Sequence, residues 1–261
     1  MKTFNYHSAK DSKEAIKLSS PNSVFLAGGM TTIPSMKLGL ATYKDVIDIK
    51  NIKKLSGINV SGKSIKIGAT TKHVEVASSK EIKKTIPSLA LLAEGIGDPQ
   101  VRNRGTIGGS IANNDPSADY PSACIALNAV IHTTDRKIEA SKFFKGMFET
   151  ALKKGELIES VEFEIPEKSS YQKYPNPASR YAVVGVYVAK HKSGVNVAVT
   201  GAKPCVYNDK NLAKALDSSF SSNSISDIEV NSADMNSDIH ASAEYRANLV
   251  VIQAKKAVEA C

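Results

Sequence analysis

Short apolar runs separated by polar turns predict the elements of the first part of the chain. Residues 11–14, Asp-Ser-Lys-Glu, have the spacing of a capping box before the apolar pattern AIKL, so a helix begins there and ends before Pro21. The runs SVFLA at 23–27 and DVIDI at 45–49 predict two strands. Between them, TTIPSMKLGL predicts a helix with a proline in its first turn, where a missing N–H costs little. Residues 1 to about 55 therefore form a small βαβ unit.

The pattern then changes to that of a mixed α/β segment. A linker is predicted at 56–63 (SGINVSGK), followed by a strand, SIKIGA, at 64–69. Helical spacing occupies about 71–85 and 87–96, whereas GDPQVRNRGTIGGS at 97–110 has turn chemistry throughout. A further helix is predicted in SADYPSACIALNA. Two further strands are predicted after it, in VIHTT and in ELIESVEFEI, where apolar residues alternate with polar ones.

The last part of the chain has a different pattern. YQKY, YAVVGVYVAK and VNVAVTGAKPCVY predict three strands of an antiparallel meander. Helical spacing follows at 211–216 and 244–260, with a polar loop between them. The fold class is therefore α+β. We expect a two-part domain over 1–170, with subdomains of about 1–55 and 56–170, and a C-terminal domain over 171–261 that contains a three-stranded antiparallel sheet and helices.

Composition limits the classes of protein to which this chain can belong. The 261 residues are 42% hydrophobic and 23% charged, which is typical of globular chains. The start lacks the apolar core of a signal peptide, and no long apolar stretch follows, so we expect a cytoplasmic protein without a transmembrane segment. The three cysteines are scattered, which argues against a disulfide framework and against a metal cluster held by this chain. The net charge of +8 comes from thinly spread lysines, which disfavours nucleic-acid binding.

Two glycine pairs are the candidate ligand-binding elements of the chain. The first glycine segment, residues 27–31 (AGGMT), lies between a predicted strand and the start of a predicted helix. Such a turn presents backbone N–H groups to an anion, and glycine lets the anion approach without a Cβ in the way. The second glycine segment, residues 106–110 (TIGGS), offers two hydroxyls and further bare amides. If the segments converge, one diphosphate clasped by both is the simplest use.

Alternatives to this interpretation stay open at the level of the residues. Each Gly-Gly pair on its own is equally consistent with a tight turn or a close strand crossing. Neither segment has the G-x-G-x-x-G fingerprint or the Walker lysine, which disfavours a Rossmann or P-loop site. Asp119 suits the N-cap of the helix that follows it, and it also suits a sugar hydroxyl of a bound nucleotide.

Long motifs carry a family resemblance. FLAGGMTTIPSMKLGLATYKDVIDI, GDPQVRNRGTIGGSIANNDPSADYPSACIALNA and YPNPASRYAVVGV closely resemble the FAD-binding medium subunit of molybdenum hydroxylases, the group of aerobic carbon monoxide dehydrogenase and xanthine dehydrogenase. The resemblance runs from about residue 2 to about 205, with the motifs in the same order. It implies a PCMH-type FAD-binding domain.

The resemblance also implies a set of FAD-binding residues and no catalytic or metal-binding ones. In that family both glycine segments hold the FAD diphosphate, and the resemblance implies that Asp119 lies on the ribose side and Lys173 near the flavin's pyrimidine edge, where a cation raises the potential. For Ile158 two interpretations stay equally open, contact with the flavin edge and a plain core position on an alternating strand. From the two segments the implied contacts are Ala27, Gly28, Gly29, Met30, Thr31, Thr106, Ile107, Gly108, Gly109 and Ser110.

The implied function is that of an electron-transfer subunit of an oxidoreductase. FAD, bound non-covalently because no histidine lies in either glycine segment, would pass electrons from a small [2Fe-2S] subunit to an external acceptor. Substrate would react at a molybdenum cofactor in a large subunit, within a heterohexamer of two copies of each chain. The alternatives are a stand-alone FAD-dependent oxidoreductase of the same fold, and a non-enzymatic module that binds anionic partners.

Overall fold

A computed structural model, which describes residues 1–261, shows three β-sheets and one short hairpin with helices packed on the sheets. The N-terminal sheet is entirely parallel and has the order β1-β3-β2. Its elements are β1 (Asn5–Ser8), α1 (Ser12–Leu18), β2 (Ser23–Leu26), α2 (Thr32–Lys37) and β3 (Asp45–Asp48), followed by a 3₁₀ turn at Lys53–Leu55.

The predicted start of α1 is confirmed in its chemistry. The carboxylate of Asp11 accepts a hydrogen bond from the amide of Glu14 at 2.8 Å, and the carboxylate of Glu14 accepts one from the amide of Lys10 at 2.7 Å. The second bond of the capping box therefore reaches one residue further back than the motif requires. Both strands predicted in this unit are present, with Phe25 of β2 opposite Ile47 of β3.

A five-stranded sheet follows, in the order β4-β5-β10-β6-β7, and all of its neighbouring strands are antiparallel. Its strands are β4 (Ile58–Ser61), β5 (Ser64–Gly68), β6 (Val130–Thr133), β7 (Lys137–Glu139) and β10 (Ile158–Glu164), and a separate hairpin is formed by β8 (Phe144–Gly146) and β9 (Glu149–Thr150). The accompanying helices are α3 (His73–Ser78), α4 (Lys80–Thr85), α5 (Pro87–Glu94), α6 (Pro99–Arg102), α7 (Ile107–Asn113), α8 (Tyr120–Ala126) and α9 (Ala140–Phe143).

Two local predictions in this region are wrong. The segment 56–63 is not a linker, because residues Ile58–Ser61 pair with β5 as an edge strand. Its outward position leaves it mostly exposed, so it lacks the apolar pattern that identifies a buried strand. The segment 97–110 is not turn throughout, because α6 and the first turn of α7 lie within it. Glycines at 108 and 109 hid this helix start, since glycine is a poor helix former.

The C-terminal part contains a four-stranded antiparallel sheet in the order β11-β12-β13-β14. Its elements are β11 (Lys168–Pro175), β12 (Ala182–His191), β13 (Gly194–Thr200), β14 (Tyr207–Asn208), α10 (Lys210–Ser218), a 3₁₀ turn at Ser222–Ile225, and α11 (Ala243–Glu259). The predicted third strand is divided in two, because Gly201 with φ of +82° ends β13 and the chain returns as β14. The α+β class and the C-terminal antiparallel sheet with helices are confirmed.

Strand β12 joins the large central core to the C-terminal core. Tyr187 and Ala189 belong to the core built on the five-stranded sheet, whereas Val186 and Val188 belong to the core under α10 and α11. The continuous apolar run of β12 follows from burial on both faces. None of the helices combines the length and the apolar character that crossing a membrane requires.

Candidate functional site

A cavity of about 510 Å³ lies where the three parts of the chain meet. This volume lies within the range of small-molecule and cofactor sites. Its walls come from the first glycine segment, the start of α7, the 96–105 stretch, residues 112–119 and the turn at 179–181. The two glycine segments therefore face one cavity, although they are far apart in sequence.

The first glycine segment presents a run of unpaired backbone amides. The N–H groups of residues 28–32 donate to no acceptor in the chain, and the next amide, that of Ile33, bonds the carbonyl of Gly29 at 3.1 Å. Gly29 has a φ of +74°, which a residue with a side chain adopts only with strain. Five successive free donors on a cavity wall form a concave site suited to an anion.

Gly28 is required by a backbone contact. A Cβ on this residue would lie 2.1 Å from the carbonyl oxygen of Arg104 and 2.9 Å from the Cα of Gly105. The first glycine segment therefore crosses directly over residues 104–105, which lead into the second segment. Glycine at position 28 lets the two walls meet.

The second glycine segment differs from the expectation of bare amides. Thr106 is the N-cap of α7, and its hydroxyl accepts from the amide of Gly109 at 3.2 Å. The amides of Ile107 and Gly108 donate to the carbonyls of Thr71 and Ala69, at 3.1 and 2.8 Å. The donors that this segment can still offer to a ligand are the amide of Thr106, which has no acceptor in the chain, and the hydroxyls of Thr106 and Ser110; both residues line the cavity.

The two glycines of the second segment have different reasons to be glycine. A Cβ on Gly108 would lie 2.6 Å from the Cβ and 2.7 Å from the carbonyl oxygen of Ala69, so this glycine lets α7 pack against the end of β5. A Cβ on Gly109 would meet only the hydroxyl of Thr106, at 2.9 Å, and Gly109 lines the cavity. Gly108 therefore allows α7 to pack closely on β5, and Gly109 leaves space in the cavity for a ligand.

Four of the predicted contacts, Ile107, Gly108, Ile158 and Lys173, do not line the larger cavity. Ile107 is fully buried in the core, and Gly108 and Ile158 line a second cavity of about 110 Å³. The smaller cavity has mostly apolar walls and shares Phe25, Ala27, Gly109 and Ala112 with the larger one. The remaining predicted residues line the larger cavity: Ala27, Gly28, Gly29, Met30, Thr31, Thr106, Gly109, Ser110 and Asp119.

Asp119 is buried at the cavity wall and is held by two side chains. Its Oδ1 accepts hydrogen bonds from the Tyr171 hydroxyl and from the Lys173 ammonium, the latter at 3.0 Å. Burial raises the pKa of Asp119, and the charge of Lys173 opposes that shift. The side chain makes no cap to α8, and Oδ2 accepts no hydrogen bond from the chain. One carboxylate oxygen is therefore left for a ligand hydroxyl.

Lys173 connects Asp119 to two backbone segments near the cavity. Besides Asp119, its ammonium donates to the carbonyls of Gly95 and Arg180, at 2.9 and 3.0 Å. An ammonium group has three donors, so all three are engaged within the chain. In this arrangement Lys173 positions Asp119 and fixes the turn that carries Arg180.

The turn at 176–181 closes one side of the cavity. Arg180 has a φ of +62°, and its guanidinium donates across the opening to the carbonyl of Gly97 at 3.2 Å. Tyr181, next in the chain, lines the cavity and is about half exposed. Residues with side chains held in this backbone conformation are concentrated at functional sites.

Sequence reasoning missed His73, Tyr43 and Asp115, all of which line the cavity. His73 begins α3 and is 5% exposed, and burial lowers its pKa to about 4. No local motif marks a histidine in TTKHVEV as a cavity residue, because its position depends on the pairing of residue 72 with residue 106. No cluster of three or more His, Cys, Asp or Glu side chains is placed to hold a metal ion.

Known proteins share this architecture. Residues 2–168 match the family described as FAD binding domain in molybdopterin dehydrogenase. The chain is 31% identical to the carbon monoxide dehydrogenase medium chain of Hydrogenophaga pseudoflava over 278 residues, covering 98% of this chain and 96% of the relative. It is 36% identical over 194 residues to the glyceraldehyde dehydrogenase medium chain of Sulfolobus acidocaldarius, covering 71% of this chain and 69% of that one.

A solved structure agrees with these matches. The fold is similar to that of a chain of carbon monoxide dehydrogenase from Hydrogenophaga pseudoflava which lacks the Mo-pyranopterin moiety, with a TM-score of 0.89, 30% identity, and coverage of 99% of this chain and 97% of that one. The chain therefore belongs to the FAD-binding medium subunits of the molybdopterin dehydrogenases, the family of carbon monoxide dehydrogenase and xanthine dehydrogenase, and it is a subunit of an oxidoreductase.

Proposed function

We propose that this chain binds FAD non-covalently and acts as the electron-transfer subunit of a molybdenum hydroxylase. The observation that carries the proposal is the run of five unpaired amides at residues 28–32, on a cavity that the second glycine segment also lines. Free N–H donors, two hydroxyls and a cavity of about 510 Å³ fit a ligand with a diphosphate and two flanking ring systems.

Different residues around the cavity contact different parts of the ligand. The first glycine segment (Ala27, Gly28, Gly29, Met30, Thr31) supplies amides to the diphosphate, and the second segment supplies the hydroxyls of Thr106 and Ser110 and the open position at Gly109. Ile107 and Gly108 support the segment from the core side. Oδ2 of Asp119 accepts a ribose hydroxyl of the cofactor.

The flavin end of the ligand lies in the more apolar part of the site. Ile158 lies in the smaller cavity and offers apolar contact to a ring edge. Lys173 fixes the turn beside the ring and contributes a positive charge to its surroundings. When bound, FAD supplies the redox chemistry, and the chain holds it in place and tunes its potential. Nothing in this role requires a nucleophile or a metal site in this chain.

The partners are a large subunit with the molybdenum cofactor and a small subunit with [2Fe-2S] clusters, in a heterohexamer of two copies each. The support is that the relatives are named as medium chains of multisubunit enzymes. Electrons would enter from the small subunit and leave to an external acceptor. We further assign the FAD-binding domain to residues 1–170 and a C-terminal domain to 171–261.

The test has two parts. The full chain, purified and incubated with FAD, is expected to retain flavin through gel filtration and to release it on denaturation. Flavin that stays attached to denatured protein would contradict non-covalent binding, and a colourless product would contradict FAD binding. Affinity purification from the native host is expected to recover a large and a small subunit, identified by mass spectrometry. Recovery of the chain alone, with its own substrate oxidation, would favour a stand-alone oxidoreductase.

A further inference from the structure

His73 is a cavity residue whose ring nitrogens have no hydrogen-bond partner in the chain. The residue is 5% exposed and still lines the larger cavity. Its Nδ1 is fully buried without a hydrogen bond. The hydroxyls of Thr70 and Tyr120 are also buried without partners, but neither residue lines this cavity. An unsatisfied buried polar group costs on the order of 1–3 kcal/mol, which a packing role alone would not explain.

Backbone contacts fix where the imidazole lies. The amide of His73 donates to the carbonyl of Gly105 at 3.0 Å, and a Cβ on Gly105 would lie 2.5 Å from Nε2. A Cβ on Gly28 would lie 2.9 Å from the Cα of Gly105. Nε2 is thus separated from the first glycine segment by the bare backbone of one residue. The ring of Tyr120 packs on the imidazole with a centroid distance of 5.4 Å.

The surroundings also determine which ring nitrogen carries the proton. Burial lowers the pKa of His73 to about 4, and the charge of Arg102 adds to the shift, so the ring is neutral at pH 7. A neutral imidazole has one N–H. A proton on Nδ1 would be a fully buried donor without an acceptor, whereas a proton on Nε2 belongs to the nitrogen that is not closed off. The favoured tautomer therefore makes Nε2 a donor.

We infer that the Nε2–H group of His73 is a further donor to the diphosphate of the bound cofactor, at the junction of the two glycine segments. This inference rests on the proposed function. It adds a side-chain donor to a set that otherwise consists of backbone amides and two hydroxyls. It also explains Gly105, since a side chain at that position would occupy the space that Nε2 takes.

Binding of an anion is expected to change the titration of His73. The charge of Arg102 acts on the ring and the phenol of Tyr120 packs on it, while Lys72 and Glu75 are its charged neighbours in the sequence. Asp115 and Asp119 line the same cavity. A diphosphate held at Nε2 adds negative charge next to the ring, so the pKa of His73 rises when FAD binds.

The experiment measures the affinity of the full chain for FAD, ADP and riboflavin by fluorescence titration and competition. We expect His73→Leu to weaken FAD and ADP by about tenfold to a hundredfold, because a hydrogen bond to a charged group is lost. Riboflavin, which has no phosphate, is expected to bind both proteins equally. His73→Gln, which keeps a donor near the Nε2 position, is expected to stay within about threefold of wild type. His240→Leu, at an exposed position, is the control.

Equal FAD affinity for His73→Leu and wild type would overturn the inference, as would an equal loss of FAD and riboflavin, which indicates a structural role. Failure of the wild-type chain to bind FAD would instead overturn the proposed function itself, and this inference with it. If His73→Leu does not fold, NMR of labelled histidine in the wild-type chain decides. A rise in the pKa of His73 on addition of FAD is the expected result, and an unchanged pKa contradicts the inference.

Discussion

Gly28 and Arg104 touch through their backbones so closely that a Cβ on Gly28 would lie 2.1 Å from the carbonyl oxygen of Arg104. This contact joins the turn after β2 to the stretch that leads into α7, and it places two remote glycine segments on one cavity. The carbonyl belongs to the backbone, so a side chain at position 28 cannot be accommodated by a rotamer change.

We therefore expect Gly28→Ala to separate the two cavity walls. Forced overpacking of this kind costs about 1–3 kcal/mol of stability, and the displaced amides lose the bound cofactor. Urea unfolding and the flavin content of the purified protein measure the two effects. Gly146→Ala is the matched control, because its Cβ would have no neighbour nearer than 3.5 Å. A Gly28→Ala protein with wild-type stability and full flavin content would show that the contact is dispensable.

The glycines at 108 and 109 are expected to respond differently to substitution. Gly108→Ala drives a Cβ into the backbone of Ala69 and lowers the free energy of unfolding by about 1–3 kcal/mol. Gly109→Val places its bulk at the cavity, so the fold is kept and FAD retention is lost. Circular dichroism, thermal melts and flavin absorbance separate the two outcomes. A yellow, fully loaded Gly109→Val protein would count against the assignment of this segment to the cofactor.

Removing the charge of Lys173 leaves Asp119 buried without its partner. We expect Lys173→Met to lower the free energy of unfolding by about 3 kcal/mol, since breaking a buried ion pair strands the remaining charge. Asp119→Asn combined with Lys173→Met is expected to recover part of this loss. Urea denaturation of the single and double variants tests the coupling, and purely additive effects would mean that the two residues act independently.

His73 makes the stability of the FAD-free chain depend on pH. Its pKa is about 4 in the folded chain and near 6.5 when unfolded, so the unfolded chain binds more protons between these values. Stability is therefore fully present above pH 6.5 and falls as the pH drops toward 4, by about 3 kcal/mol in total. His73→Gln is expected to flatten this part of the profile. An unchanged slope in the variant, measured by urea unfolding across the range, would assign the dependence to other groups.

Local patterns were sufficient to predict much of the fold. The capping box at Asp11, the apolar runs of β2 and β3 and the continuous apolar run of β12 each reflect a short-range rule that the structure obeys. Residues Ile58–Ser61 could not be identified as a strand, because an exposed edge strand buries little and so carries no alternating apolar pattern. The helix start at Ile107 was hidden by two glycines, of which Gly108 packs against Ala69 and Gly109 lines the cavity.

The cavity was harder to predict than the elements around it. The two glycine segments singled out in the sequence line one cavity, but the sequence did not indicate that the amides of Ile107 and Gly108 are used by Thr71 and Ala69. Which donors remain free depends on how separate strands pair, and a sequence motif does not contain that information. His73 was missed for the same reason, because its place at the cavity follows from the bridge between residues 72 and 106.

Hydrogen exchange at single amides tests the central claim most directly, since the claim is that the free N–H groups of residues 28–32 bind the cofactor diphosphate. In the FAD-free chain these five amides have no acceptor and are expected to exchange quickly, whereas those of Ile107 and Gly108 are already bonded and exchange slowly. Addition of FAD is predicted to slow exchange at 28–32 strongly and to leave Ile107 and Gly108 nearly unchanged. Fast exchange at 28–32 in the FAD-saturated chain would contradict the account.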